Sequence, residues 1–163
     1  MVSLIVHGLL GIGTVILILR TNPAVFRRPA DGPLLSRLEL GLYGIGIASV
    51  IAGWSFNIAF VVQNTHGWFT NPLWGHGSWA QYLHLMFANP AAGSAGIDFS
   101  IANVLALPLI TITDGRRRGI ERPWLYFVAT LFASFTFGWA FYAATVERQR
   151  RLAAARPLAE ASA

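Results

Sequence analysis

The 163-residue chain contains no cysteine, and every one of its twelve basic side chains is an arginine. The first absence excludes disulfides, thiolate nucleophiles and iron–sulfur ligation. Charge is scarce as well: 12% of the residues are charged and only seven are acidic, where soluble domains carry about 25% charged residues. Catalytic signatures are missing too. The Gly-rich stretch GLLGIG begins at Gly8 inside an apolar run, with no preceding strand and without dinucleotide-binding spacing. There is no Ser/His/Asp order, no paired carboxylate and no Asp-rich prenyl-phosphate motif.

What is present is apolar surface. Hydrophobic residues make up 55% of the chain and mean hydropathy is +0.53, the composition of an integral membrane protein. Charges are absent from Met1 to Leu19, Leu40 to Ile97, Phe99 to Thr113 and Pro123 to Val146. A helix needs roughly 20 apolar residues to cross ~30 Å of hydrocarbon, so four spans are expected, at about 2–19, 38–62, 90–113 and 123–146. The fold class is therefore all-α: a membrane bundle of four transmembrane helices plus one interfacial amphipathic helix, forming a single domain over 1–153 with a flexible Ala/Arg-rich tail at 154–163. The first run lacks a basic segment before it and reads as a retained anchor, not a signal peptide.

Small residues offer thin helix faces: Gly8, Gly11 and Gly13 in the first span, and Ala48/Ala52 and Ser49/Gly53 in the second. Pro23, Pro29, Gly32 and Pro33 make the segment between them a loop. After the second span, Trp79, Tyr82, Leu83, Met86 and Phe87 recur at helical spacing behind Ser78, a favoured N-cap. They predict an interfacial helix over 78–88. Asn89-Pro90 is a helix start signal, and it places Asp98 roughly 12 Å, about two turns, inside the third span. Gly115 is the expected breaker at that span's end. Pro123 opens the fourth span, whose aromatics Trp124 and Tyr126 mark one face of the bilayer and Trp139 and Tyr142 the other. Trp124 and Tyr142 stand about 27 Å apart on a continuous helix.

Arginine placement sets the orientation. Four arginines lie in the first loop (20–37), four in the third (114–122) and four in the tail. With four crossings the two basic loops share the cytoplasmic side and both termini lie outside, the tail opposite loop three. A pI of 10.7 thus reflects span-end arginines near anionic headgroups, and nucleic acid is not an expected partner.

The elements MFANP, Asp98 eight residues after Pro90, DGRRRGIERPWLY and the closing ERQRRL resemble a family of short bacterial integral membrane proteins classed as a domain of unknown function. The likeness covers about 48–152, with the first span and its Pro-rich loop outside it. The family usually has glutamate where this chain has Asp114. The resemblance implies fold and location, with no activity attached.

Asp98 is the leading candidate site, because an ionisable group inside a span is costly and normally has a partner or a role. It serves either structure, accepting hydrogen bonds near the helix N-terminus from Ser94 or loop two, or a proton relay or ligand site with His84, His76 or Asn57 in reach. His66, His76 and His84 share its side, but their spacing matches no metal motif, and neither a metal nor a haem through His7 is expected. Arg116, Arg117, Arg118 and Arg122 are suited to lipid phosphate or a partner, or form a stop signal in which Asp114 pairs with Arg117 or Arg118. Trp79, Tyr82, Trp124 and Tyr142 are the interfacial aromatics. Asn57, Gln63 and Asn64 are suited to gluing helices together.

The favoured reading is a non-catalytic accessory, scaffold or lipid-binding protein of the bacterial inner membrane. Its partners are membrane lipids and either further copies of itself or other membrane subunits, and no cofactor is expected. The alternatives are a homo-oligomeric proton-coupled transporter and, less favoured, an enzyme acting on an isoprenoid-like substrate, each with Asp98 as the ionisable site.

Overall fold

The computed structural model describes residues 2–29, 32–65, 67 and 71–160, and among them all regular structure is helical. Helix α1 (Val2–Thr21) is followed by the short α2 (Pro23–Phe26) and the 28-residue α3 (Arg37–Asn64). A capping box starts α3: the Ser36 hydroxyl accepts from the Glu39 amide at 3.1 Å, while the Glu39 carboxylate accepts from the Ser36 amide at 2.6 Å. Ser78 caps α4 (Trp79–Leu85) as expected, although the helix stops short of 88.

The third long element begins at Asn89-Pro90, with the Asn89 side chain accepting from the Ala92 amide at 2.9 Å. It runs as α5 (Pro90–Ser100), a π-helical turn (Ile101–Ala106) and α6 (Leu107–Arg117). Pro108 has no N–H to continue the ladder, and the turn before it is widened. Helices α1, α3 and the Pro90–Arg117 element are long and apolar enough to cross a membrane, the mark of a membrane protein.

Gly115 does not end the third element. The helix passes through it, and Gly119, at φ 69°, closes a Schellman turn in which the Ile120 amide donates to the Gly115 carbonyl at 2.8 Å and the Gly119 amide to Arg116 at 3.1 Å. Gly115 is instead a contact point, since a Cβ there would strike Pro123.

The largest departure from expectation is the fourth span. Residues 123–146 are not one helix but two, α7 (Leu125–Phe132) and α8 (Phe135–Glu160), with the chain reversing at Ala133 and Ser134. The Tyr126 hydroxyl donates to Thr145 Oγ1 at 2.9 Å, and the Tyr126 and Tyr142 rings lie 5.1 Å apart. One continuous helix would separate those two residues by ~24 Å, so α7 and α8 form an antiparallel hairpin. Gly138 permits the close approach: a Cβ there would collide with the Thr130 side chain and sit 2.9 Å from the Tyr126 carbonyl oxygen. Trp124 and Tyr126 consequently lie at the same end as Tyr142, not at the opposite face.

The reversal also brings the tail back beside loop three. Gln149 donates to the Arg118 carbonyl at 3.3 Å, and Asn22 exchanges hydrogen bonds with the Glu121 backbone at 3.1 and 2.8 Å. All three arginine-bearing segments therefore gather at one end of the bundle, where the four-crossing reading put the tail opposite. Helix α8 continues to Glu160.

Arg148 fastens this end. Its guanidinium donates to the Val25, Leu34 and Arg27 carbonyls at 2.9, 3.0 and 2.9 Å and to Glu39 Oε1 at 3.1 Å; Arg151 also pairs with Glu39. Glu39 is fully buried and Arg148 is 4% exposed. Beside them Ile18, Leu125, Tyr126 and Phe141 form the apolar core. Because removal of the guanidinium strands three carbonyls and leaves the buried Glu39 carboxylate with Arg151 alone, Arg148→Ala should destabilise the protein by about 3 kcal/mol. Arg148→Lys, which keeps the charge but loses the fork, should fall between it and the parent in thermal unfolding in detergent.

Candidate functional site

The hairpin tip is the floor of a cavity of about 590 Å³. At the tip, Ser134 caps α8, accepting from the Phe137 amide at 3.2 Å, and shares a hydrogen bond with Ser49 of α3 at 2.8 Å. The Ala133 carbonyl, freed by the break, accepts from the Trp54 indole at 2.9 Å. Helix α1 packs on the tip through Gly11, where a Cβ would stand 3.2 Å from the Phe132 carbonyl oxygen, and on Trp54 through Gly8. Of the thin faces read from the sequence, these two glycines and the Ser49/Gly53 pair are used; Gly13 meets nothing, and Ala48 and Ala52 are exposed.

Above the floor, α3 forms one wall through Gly53, Asn57 and Phe60, and the third element forms the facing wall through Phe99, Ser100 and Asn103. The π-helical turn carries Asn103, 7% exposed, whose side chain accepts from the Trp139 indole at 3.1 Å and donates to the Phe99 carbonyl at 2.9 Å. Helix α4 and its C-cap residue are the roof, contributing Trp79, Tyr82 and Met86. It is tied down twice. Gln81 donates to the Asn64 side chain at 3.0 Å, and the Trp79 indole donates to His7 Nε2 at 2.8 Å. An indole N–H only donates, so Nε2 is unprotonated, and Nδ1 carries the proton it gives to the Ser3 carbonyl at 2.8 Å. Both ring nitrogens of His7 are thereby engaged.

The structure sorts the residues singled out from the sequence. Asn57, Trp79 and Tyr82 line the cavity. Asp98 does not: it is exposed on the outer face of α5, with no hydrogen bond among the described residues, while its neighbours Phe99 and Ser100 turn inward. His84 and His76 are exposed away from the cavity, and His66 lies outside the described residues. No group of three metal-ligating side chains occurs among the described residues. Arg116, Arg117 and Arg122 are exposed, and Arg118 pairs with Asp114 at 2.6 Å, one of the two pairings expected. Trp124 is 47% exposed. Tyr142 is buried and donates to Asp114 at 2.7 Å, so it braces the hairpin and is not part of an interfacial belt.

Sequence reading missed His7 as a roof anchor, along with Trp54, Asn103 and Ser134. Only Ser134 left a local signal, a capping residue inside an apolar run.

The residues that build floor, walls and roof, apart from those of α1, fall within residues 42–148, which match the family described as Protein of unknown function DUF2834. The chain belongs to this family. The matched DUF2834 segment starts within α3 and closes at Arg148, leaving α1 and the Pro-rich loop outside it. No curated protein and no solved structure matches the chain.

Ser134→Ala, which removes a helix cap and the Ser49 bond, should cost about 1 kcal/mol in denaturation in detergent.

Proposed function

We propose that this DUF2834 protein is a non-catalytic, lipid-binding protein of the bacterial inner membrane, holding one membrane-derived amphiphile in the cavity between α3 and the third span. The carrying observation is the cavity itself. Its volume falls within the ~300–1,000 Å³ of small-molecule sites, its lining contains no carboxylate or guanidinium among the described residues, and its floor is non-helical backbone at membrane depth. Such backbone is tolerated in hydrocarbon only where protein or a cavity covers it.

Three crossings and a re-entrant hairpin fit the arginine distribution better than four crossings do. Ser49, bonded to the tip, lies about 18 Å along α3 from its basic end, and Phe135 lies about 20 Å along α8 from Arg148. The hairpin therefore reaches about two-thirds of the way through ~30 Å of hydrocarbon. With every arginine-bearing segment at one end, that end is cytoplasmic, the N-terminus is outside and the C-terminus inside. The cavity then lies in the outer leaflet, under α4, and the exposed Arg116, Arg117 and Arg122 meet anionic headgroups.

A second reading, self-association, is favoured by Asp98: a carboxylate on an otherwise apolar helix face is costly against lipid, and a second copy covering that face would remove the cost.

Native mass spectrometry of the full chain extracted in mild detergent tests the main reading. One amphiphile should be retained per protomer, and Gly53→Leu should expel it, because a Cβ at Gly53 meets only Ser134, at 3.9 Å, and a longer side chain must enter the cavity. A protein that retains nothing, or a Gly53→Leu variant with undiminished occupancy, would sink it. Topology is checked on the cysteine-free background: thiols introduced by Arg28→Cys, Arg117→Cys and Arg150→Cys should label from one side of the membrane, and Trp74→Cys from the other.

A further inference from the structure

Resting on the cavity reading above, we propose a chemical class for the occupant: a quinone-type molecule, a neutral, planar, electron-poor ring with carbonyl acceptors and an apolar tail.

The first argument is the wall. Trp54, Phe60, Tyr82, Phe99, Phe132 and Phe135 bring rings to the cavity from α3, α4, α5 and the hairpin. Several are set edge to face, Phe60 on Tyr82 at 5.5 Å and Phe99 on Phe135 at 3.9 Å. The negative face of an aromatic quadrupole favours a flat, electron-poor ring; a saturated acyl chain packs as well against aliphatic walls and makes no use of this arrangement.

The second argument is the hydrogen-bond inventory. Most polar groups at the cavity are already engaged: Ser49 with Ser134, the Trp54 indole with Ala133, Trp79 with His7, and Asn103 with Trp139. The Asn57 amide and the Tyr82 hydroxyl line the cavity and have no hydrogen-bond partner among the described residues. Asn57 and Phe60 share a face of α3 one turn apart, and the Phe60 ring touches that of Tyr82. The two open groups thus flank one aromatic corner beneath the roof, and both supply donors. An acceptor with lone pairs on one edge of a ring, a carbonyl, satisfies them.

The third argument is charge. Without a cationic side chain in the lining, a phosphate or carboxylate headgroup would be desolvated with no partner, at a cost of several kcal/mol, whereas a carbonyl carries no net charge. The tail has an exit, because Phe56 and Val104 line the cavity yet are 77% and 50% exposed on the outer surface of the bundle.

The test is a titration of the full chain in phosphatidylcholine nanodiscs with decylubiquinone, followed by tryptophan emission, since Trp54 and Trp79 stand in the cavity wall. Quenching should saturate at one quinone per protomer. Tyr82→Phe and Asn57→Leu should each weaken it about three- to tenfold, the loss of one hydrogen bond, with melting temperature unchanged. Gly53→Leu should leave only the linear quenching of quinone dissolved in lipid. Linear quenching in the parent protein, or equal affinity in the Tyr82→Phe and Asn57→Leu variants, overturns the quinone assignment. If a phospholipid meanwhile remains bound at one per protomer and is lost in Gly53→Leu, the cavity reading stands alone; if nothing is retained, both fall.

Discussion

The Arg148–Glu39 pair is the constraint from which the rest of the architecture follows. A guanidinium that leaves water must find acceptors for its fork, and Arg148 finds them in three loop-one carbonyls and one buried carboxylate. Glu39 in turn is held by its own capping box and by Arg151. A buried pair of this kind contributes little net stability over an apolar substitute, but it strongly penalises any arrangement in which the partners are apart. It fastens the far end of α8 to the start of α3, at the end of the bundle where loop three also lies. A chain leaving loop three at Trp124 and required back at the same end by Arg148 has to turn within the apolar interior.

That turn frees backbone polar groups inside the bundle, and the protein satisfies them with indoles and hydroxyls. Trp54 donates to the carbonyl freed at Ala133, and Ser134 caps the new helix while bonding Ser49. The π-helical turn facing the tip is handled the same way, with Trp139 donating to Asn103. Each irregularity costs helix hydrogen bonds and leaves an uncharged, ring-lined space in exchange. Cavity and helix distortions are one feature: a straight fourth helix packed on a regular third would have filled the volume that Phe99, Asn103 and Phe135 now border.

Asp98 and His7 show how the same residue types acquire opposite standing through packing. By composition, a carboxylate two turns inside a span outranks a histidine near a chain end. In three dimensions His7 is fixed under the roof with both nitrogens bonded, whereas Asp98 faces outward from a helix whose inner side is occupied by Phe99 and Ser100. Which side of the helix a residue occupies decides this, and that depends on the neighbour the helix meets.

The sequence by itself determined what depends on composition and on contacts a few residues apart. Three apolar runs long enough to cross, the caps at Ser78 and Asn89, proline at the start of α5, an ion pair from Asp114 to Arg117 or Arg118 and the family were all legible, because hydropathy, capping and near-neighbour pairing are local. Gly115 was misjudged for a tertiary reason: helix termination belonged to Gly119, and the absent Cβ at 115 makes room for Pro123. The hairpin was beyond local reading. Its reversal at Ala133 and Ser134 carries neither proline nor glycine, and the groups that stabilise or require it, Trp54, Ser49 and the Arg148–Glu39 pair, bridge residues 79, 85 and 109 positions apart. An uninterrupted apolar run of 24 residues is equally compatible with one crossing or with two antiparallel half-helices. Only the tertiary structure decided between them, because the choice rests on which distant donor meets the freed carbonyl and where a buried arginine finds its acceptors.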